Sequence, residues 1–276
     1  MTTAAVARAR HELIGLYGVV ERNWYLVKRY GLWEIAFFLW TIANTLSIVY
    51  ISKSDYISDR QANDLTVFLL IGAVVWAYLG IMFQILTETV AWERWEGTIE
   101  YTFMAPLSRW AHLAGMGIFS VFYGLVRASL VFGAVAAMFS LHMPDANYAT
   151  AFVVLAISSI AFIGIGMMAA VLPLISPEKG AQLGFMTQGL ILVVSGVYVE
   201  VDKLPGWMQA IATVSPATYA LRGMRHGIQD GYSVSQCWGD IWPLLLIGAV
   251  AIPLGLWIFN QGEVYAKRHG KLKRSG

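Results

Sequence analysis

Apolar residues run along most of this chain in blocks long enough to cross a lipid bilayer. A helix needs about 20 such residues to span the hydrocarbon core. Six stretches reach that length: residues 32–51, 65–86, 113–141, 149–175, 181–199 and 241–259. The third and fourth exceed a perpendicular crossing, so they tilt or emerge from the lipid. The pattern predicts an all-α integral membrane protein with six transmembrane helices.

The first thirty residues follow a different rhythm. Leu13, Leu16, Tyr17, Val20, Trp24 and Val27 recur at helical spacing and define one apolar face, with Arg22, Lys28 and Arg29 on other faces. Such a helix lies along the interface rather than crossing it. Residues 1–31 therefore read as a cytoplasmic amphipathic interface helix, available to a cytoplasmic partner, and residues 32–276 as one membrane domain.

Composition agrees with the pattern. Of the 276 residues 58% are hydrophobic and 13% charged, with a mean hydropathy of +0.60. A water-soluble domain carries about 25% charged residues, so lipid must cover much of this surface. The 26 glycines suit close helix packing, and the 11 tryptophans suit the headgroup level. Cys237 is the one cysteine, which excludes an intrachain disulfide and a cysteine metal cluster. The N-terminal segment has no apolar core followed by a small-residue cleavage site, so it does not read as a signal peptide.

The basic residues set the expected orientation. With an even number of spans, one side carries Arg8, Arg10, Arg22, Lys28, Arg29, Arg94, Arg109, Lys179, Lys267, Arg268, Lys271, Lys273 and Arg274. The other carries Lys53, Arg60, Lys203, Arg222 and Arg225. Basic residues accumulate on the cytoplasmic side, so both termini are expected there, in the cell (plasma or inner) membrane.

Between the second and third spans lies an acidic and aromatic stretch, residues 88–106. Read as a helix, it puts Glu93, Glu96 and Glu100 on one face and Trp92, Trp95, Ile99 and Phe103 on another, with Pro106 as the stop. Before the last span, Trp207, Met208, Ile211, Ala212 and Val214 form a run too short to cross, bracketed by Pro205 and Pro216.

These two segments resemble the membrane subunits of ABC-2 type transporters. The first resemblance rests on Glu93, Gly97, Thr98, Glu100 and Pro106. It implies that this stretch, including Glu96, is a coupling helix that docks on a separate ATP-hydrolysing subunit, with Arg22, Lys28 and Arg29 of the N-terminal helix alongside. The second rests on Ser195-Gly196, Pro205, Trp207, Pro216 and Tyr219, and implies short re-entrant helices in the outer leaflet. Val199-Glu200 stands where that family has a Phe-Pro step. The resemblance covers nearly the whole chain. It implies a dimer with a second copy or a paralogous permease, two nucleotide-binding subunits beneath, and ATP and Mg bound in those partners.

The chain has no Gly-x-x-x-x-Gly-Lys-[Ser/Thr] phosphate loop and no His-Glu-x-x-His, so it is not expected to be an enzyme itself. Its five histidines are scattered. Inside the spans, Gln84, Arg127, Gln182, Thr187, Gln188 and Ser195 are candidates for lining a pathway. Arg127 is the one clear mid-span charge, with no acidic partner evident at its level and Glu34 placed at the inner end of the first span. Buried charge must face protein, water or a polar ligand. The expected function is an exporter permease for an amphipathic lipid or hydrophobic drug. A polysaccharide- or glycolipid-exporting permease and an ion-coupled transporter are the alternatives.

Overall fold

The computed structural model describes residues 3–53, 59–176 and 179–270. Lys271, Lys273 and Arg274, counted above, lie outside the described residues, as do the side chains of Arg8, Lys53 and Arg60. The helices are α1 (Thr3–Arg29), α2 (Gly31–Val49), α3 (Asp59–Glu96), α4 (Ile99–Met104), α5 (Arg109–Met138), α6 (Tyr148–Ala169), α7 (Val171–Ile175), α8 (Gly180–Val194), α9 (Gly206–Ala212), α10 (Pro216–Ile228) and α11 (Trp238–Arg268). There is no strand among the described residues.

Among the described residues, five segments are long and apolar enough to cross a membrane: Gly31–Ser52, Gln61–Glu96, Arg109–Met138, Tyr148–Ile175 and Trp238–Arg268. The fifth expected span, residues 181–199, is shorter than its apolar run suggested. Its helix α8 has 15 residues and stops at Val194, because Gly196 takes a left-handed φ of +76° that turns the chain. At 1.5 Å per residue that is about 22 Å, against about 30 Å of hydrocarbon.

Glycine contacts fix the direction of each helix. Along α8, Gly184 meets Thr87, Gln188 meets Gly80, and Val197 meets Gly72. Numbers rise on one helix as they fall on the other, so α8 runs antiparallel to α3. Along α11, Gly248 meets Ile160, Ala251 and Gly255 meet Gly164, and Gly262 meets Val171. Here both series rise, so α11 and α6–α7 are parallel. A Cβ on Gly255 would stand 2.6 Å from the carbonyl oxygen of Gly164. Backbones in lipid associate by such close approach, since apolar side chains gain nothing by leaving apolar solvent.

The hub is α3, whose Leu70, Ile71, Val75, Tyr78, Leu79, Met82 and Leu86 are almost fully buried. Tyr78 bonds Ser159 of α6, and its ring lies against Gly124 of α5. By contrast α2 is loosely held: Leu32, Trp33, Ile35, Phe37, Leu39 and Trp40 are all exposed.

The bundle has two distinct ends. At one, α1, the end of α3, the start of α5, α7 and the end of α11 come together; there Arg22 pairs with Glu93, and Arg109 with Glu263. At the other, Asn63 exchanges hydrogen bonds with the His142 backbone, and the Asn147 amide donates to Gly227. The described starts and ends of the chain therefore share one end of the bundle.

α1 corrects the face read from its sequence. The residues turned into the protein are Gly15, against Leu107, Leu16 and Val19, against Gly115 of α5, and buried Asn23. Leu13, Tyr17 and Trp24 of the expected apolar face stay exposed. Helical hydrogen bonds continue across Tyr30, from its amide to Leu26 and from the Glu34 amide to Tyr30, so α1 bends into α2 without a loop.

The approach of Gly255 to Gly164 gives a direct prediction. Gly255→Leu forces a side chain into the Gly164 carbonyl and is expected to cost about 1–3 kcal/mol, read as a lower Tm of the detergent-purified protein. Gly239→Ala, where a Cβ meets nothing within 4 Å, should leave Tm unchanged.

Candidate functional site

The continuous helix expected over residues 88–103 does not form. α3 ends at Glu96, and Gly97 adopts a φ of +75°, a conformation that costs other residues about 1–2 kcal/mol. The Gly97 amide donates to the Arg94 carbonyl, and the Thr98 amide to that of Glu93 at 2.8 Å. This pair of bonds is the Schellman ending of a helix. α4 then runs one and a half turns until Ala105, held extended (ψ 143°) ahead of Pro106. Ser108 caps α5 by accepting from the Ala111 amide.

The break separates the three glutamates. Glu93 is 2% exposed and accepts from Arg22 at 2.5 Å, facing back into the protein. Glu96 and Glu100 face outward, as do Trp92, Trp95, Tyr101 and Met104. Ile99 is buried instead, as the foot of α4.

Behind this outward face lies a dense polar network. Arg109 donates to Glu263 of α11 at 2.7 Å and to the Phe103 carbonyl at 2.7 Å, with its guanidinium over the Phe103 ring. Lys267 adds a second contact to Glu263 at 2.6 Å. Arg94, 2% exposed, donates to the Leu174 carbonyl at the end of α7. From α1, Glu12 accepts from Ser108, and His11 bonds the Pro106 carbonyl at 2.7 Å. His112 is enclosed in the same region with neither ring nitrogen bonded. Lys28 and Arg29 of α1 lie over the rings of Trp24 and Tyr30.

The polar residues of the spans divide into groups. Ser195 is buried and bonds Ser215 at the start of α10 at 2.6 Å. Gln188 is buried beside Gly80, while Thr187 bonds its own helix at Leu183. Gln84 of α3 and Gln182 of α8 are exposed. Arg127 does have an acidic partner, contrary to expectation. Glu34 of α2 is 3.7 Å from its Nη1, and Tyr123 bonds both side chains. Glu34 therefore lies level with the middle of α5 rather than at the end of the bundle.

At the far end, Pro205 precedes α9 and Pro216 is the first residue of α10, where its missing N–H costs nothing. Trp207 of α9 is exposed, and the Tyr219 hydroxyl donates to the Thr213 carbonyl. Arg225 clamps the turn after α8. It donates to the Gly196 and Val197 carbonyls at 3.1 and 2.9 Å and lies over Phe68. Burial lowers its pKa to about 10, which leaves it charged at neutral pH. Asp240 of α11 accepts from both Arg222 and His226.

Sequence reading missed Arg225, Asp240, Glu263 and Glu12. A usable signal was present for two of them. Asp240 and Glu263 are acids within an otherwise apolar last helix, where a charge requires a partner.

A family model described as "ABC-2 type transporter" matches residues 19–228, which contain the elbow, α8 and the α9–α10 pair. A curated protein of Escherichia coli (strain K12), "Probable multidrug ABC transporter permease YbhR", is 24% identical over 175 residues, 62% of this chain and 46% of that protein. The "Linearmycin resistance permease protein LnrN" of Bacillus subtilis (strain 168) is 30% identical over 110 residues, 40% of this chain and 28% of that protein. The chain thus matches less than half the length of either relative. With that match running over most of a multi-pass helical membrane protein, the chain belongs to the ABC-2 type transporter family.

Proposed function

We propose that this chain is the membrane subunit of an ABC exporter for an amphipathic lipid or hydrophobic drug, driven by ATP hydrolysis on a separate subunit that binds ATP and Mg. The observation that carries this reading is the elbow. It presents Glu96, Glu100, Trp92, Trp95 and Tyr101 outward while Arg22–Glu93 and Arg109–Glu263 anchor it from behind. A rigid acidic and aromatic projection fits a groove on another protein, where aromatic side chains dominate contact energy and charge sets register.

Force on the elbow passes along two routes. Arg22 delivers it to α1, which continues into α2. Arg109, through Glu263, delivers it to α11. The cargo route is the exposed surface of α8 and the neighbouring side of α3, where Gln84, Gln182 and Thr187 accompany exposed Leu183, Met186 and Leu190. An uncovered apolar stripe on α8 also suits the second permease of a dimer. In this arrangement α9 and α10 re-enter the outer leaflet, and both termini are cytoplasmic. The names of the two relatives, a multidrug permease and a linearmycin resistance permease, support an amphipathic cargo over a polysaccharide.

Co-purification with the ATPase subunit tests the reading. Glu100→Arg, on the exposed face, is expected to weaken association about tenfold or more while leaving the Tm of the isolated chain unchanged. Retained association would overturn the assignment of the docking face. Arg109→Ala should act differently. It leaves Glu263 with Lys267 alone and frees the end of α4, so Tm should fall, as expected for about 3–5 kcal/mol lost on breaking a buried pair. Coupled ATPase activity should fall with it.

A further inference from the structure

We propose that the seam between α2 and α5 around Arg127 is a binding site for the anionic headgroup of an amphiphile, with Glu34 as the internal anion that the ligand displaces. This rests on the exporter reading only for its purpose. The site itself follows from coordination, depth and access.

Coordination distinguishes Arg127 from the arginines that meet an acid directly, and from Arg94 and Arg225, which donate to backbone carbonyls. Arg22, Arg109 and Arg222 each donate directly to a carboxylate. Arg127 donates to two neutral hydroxyls, Tyr123 at 2.9 Å and Thr41 at 3.3 Å. Its carboxylate, Glu34, stands off at 3.7 Å and takes its hydrogen bond from Tyr123. A guanidinium offers five N–H donors in a fork shaped for a carboxylate or phosphate. At this site the fork holds no anion in hydrogen-bond contact.

Depth makes that unusual. Tyr123 and Arg127 bracket Gly124, which lies against Tyr78, the midpoint of α3. A charge at such a level is costly without a partner of opposite sign, so a loosely held one marks a place where partners exchange. A small apolar cavity of about 10 Å³ lies beside Arg127, among Thr41, Val74, Ala77 and Tyr78.

Access comes from the lipid side. Glu34 and Arg127 keep 31% and 15% of their side-chain surface open. The rim is apolar: Phe37 of α2 and Val126 and Leu130 of α5 are exposed beside them. A headgroup at Arg127 would leave its acyl or alkyl tail against these residues. α2 is the least buried of the candidate spans, so opening the seam disturbs little packing.

Dodecyl phosphate is the probe. Its adducts with the full-length chain in dodecyl maltoside are measured by native mass spectrometry, with inorganic phosphate as a second arm. Arg127→Gln is expected to weaken binding about tenfold. Arg127→Lys should fall between, since an ammonium cannot hold an anion with a fork. Glu34→Gln should tighten binding, because the competing carboxylate is gone. Opposite signs for the two charge removals are the signature of displacement. Equal weakening by both, or no change in either, would overturn the proposal and return Glu34–Arg127 to a purely structural pair.

If a single variant fails to fold, Thr41→Val and the double variant Glu34→Gln/Arg127→Gln carry the test. The double variant leaves no unpaired charge and should have lost the adduct; a retained adduct overturns the site. Competition by inorganic phosphate at concentrations comparable to dodecyl phosphate would show a free-anion site and overturn the amphiphile assignment. The assay needs no ATPase subunit. A positive adduct pattern with no co-purifying ATPase would therefore sink the exporter reading and leave this site standing.

Discussion

The guanidinium of Arg109 joins three separate pieces of the chain at once. It reaches Glu263 near the end of α11, the last carbonyls of α4, and its own helix α5. Without it α4 would be a six-residue helix held at one end by Gly97 and at the other by Pro106. Helices that short do not persist on propensity alone. The outward display of Glu100 and Tyr101 is thus a tertiary property, built from an arginine and a glutamate separated by 154 positions in sequence. Glu93 supports the other side of the break in the same way, by turning inward to Arg22 instead of outward to a partner.

Above this polar layer the bundle is held by contact geometry. Gly164, Gly248, Gly255 and Gly262 bring residues 160–171 of α6–α7 against residues 248–262 of α11, and Gly72, Gly80 and Gly184 bring α3 close to α8 and the turn after it. Lipid offers side chains the same apolar surroundings as a protein interior, so shape and hydrogen bonds decide which helices meet. α2 has neither in quantity. It joins the rest through Glu34, Thr41, the Ser52–Thr66 hydroxyl pair near its far end and the apolar side chains of Phe38, Ile42, Leu46 and Val49.

The sequence made most of the spans legible because apolar length is a local property. The elbow was legible as a place but not as a shape. The spacing of Glu93, Glu96 and Glu100 fits one helical face, yet Gly97 interrupts it, and a glycine between an acidic turn and Thr98 is a helix-ending signal in its own right. The fifth expected span is shorter than its apolar run for a related reason: apolarity continues through Val197 and Val199, but the helix yields at Ser195-Gly196. α1 went astray because Val19 and Asn23 face protein while Trp24 and Tyr17 do not, a choice made by Gly115 on another helix. The Glu34–Arg127 pairing was invisible because α2 lies beside α5 only through a packing arrangement that no local pattern encodes.

The early ending of α8 has a consequence for distance. Beyond Val194 the column beside α3 is filled by the turn at Gly196, the Ser195–Ser215 pair and the Arg225 guanidinium rather than by a lipid-facing helix. A molecule sliding along α8 from the elbow end leaves hydrocarbon-like surroundings after about 22 Å, roughly three quarters of an ordinary membrane's thickness. On the proposed route, the last few ångströms would run past backbone carbonyls and hydroxyls, a thinner dielectric barrier than the bilayer around it.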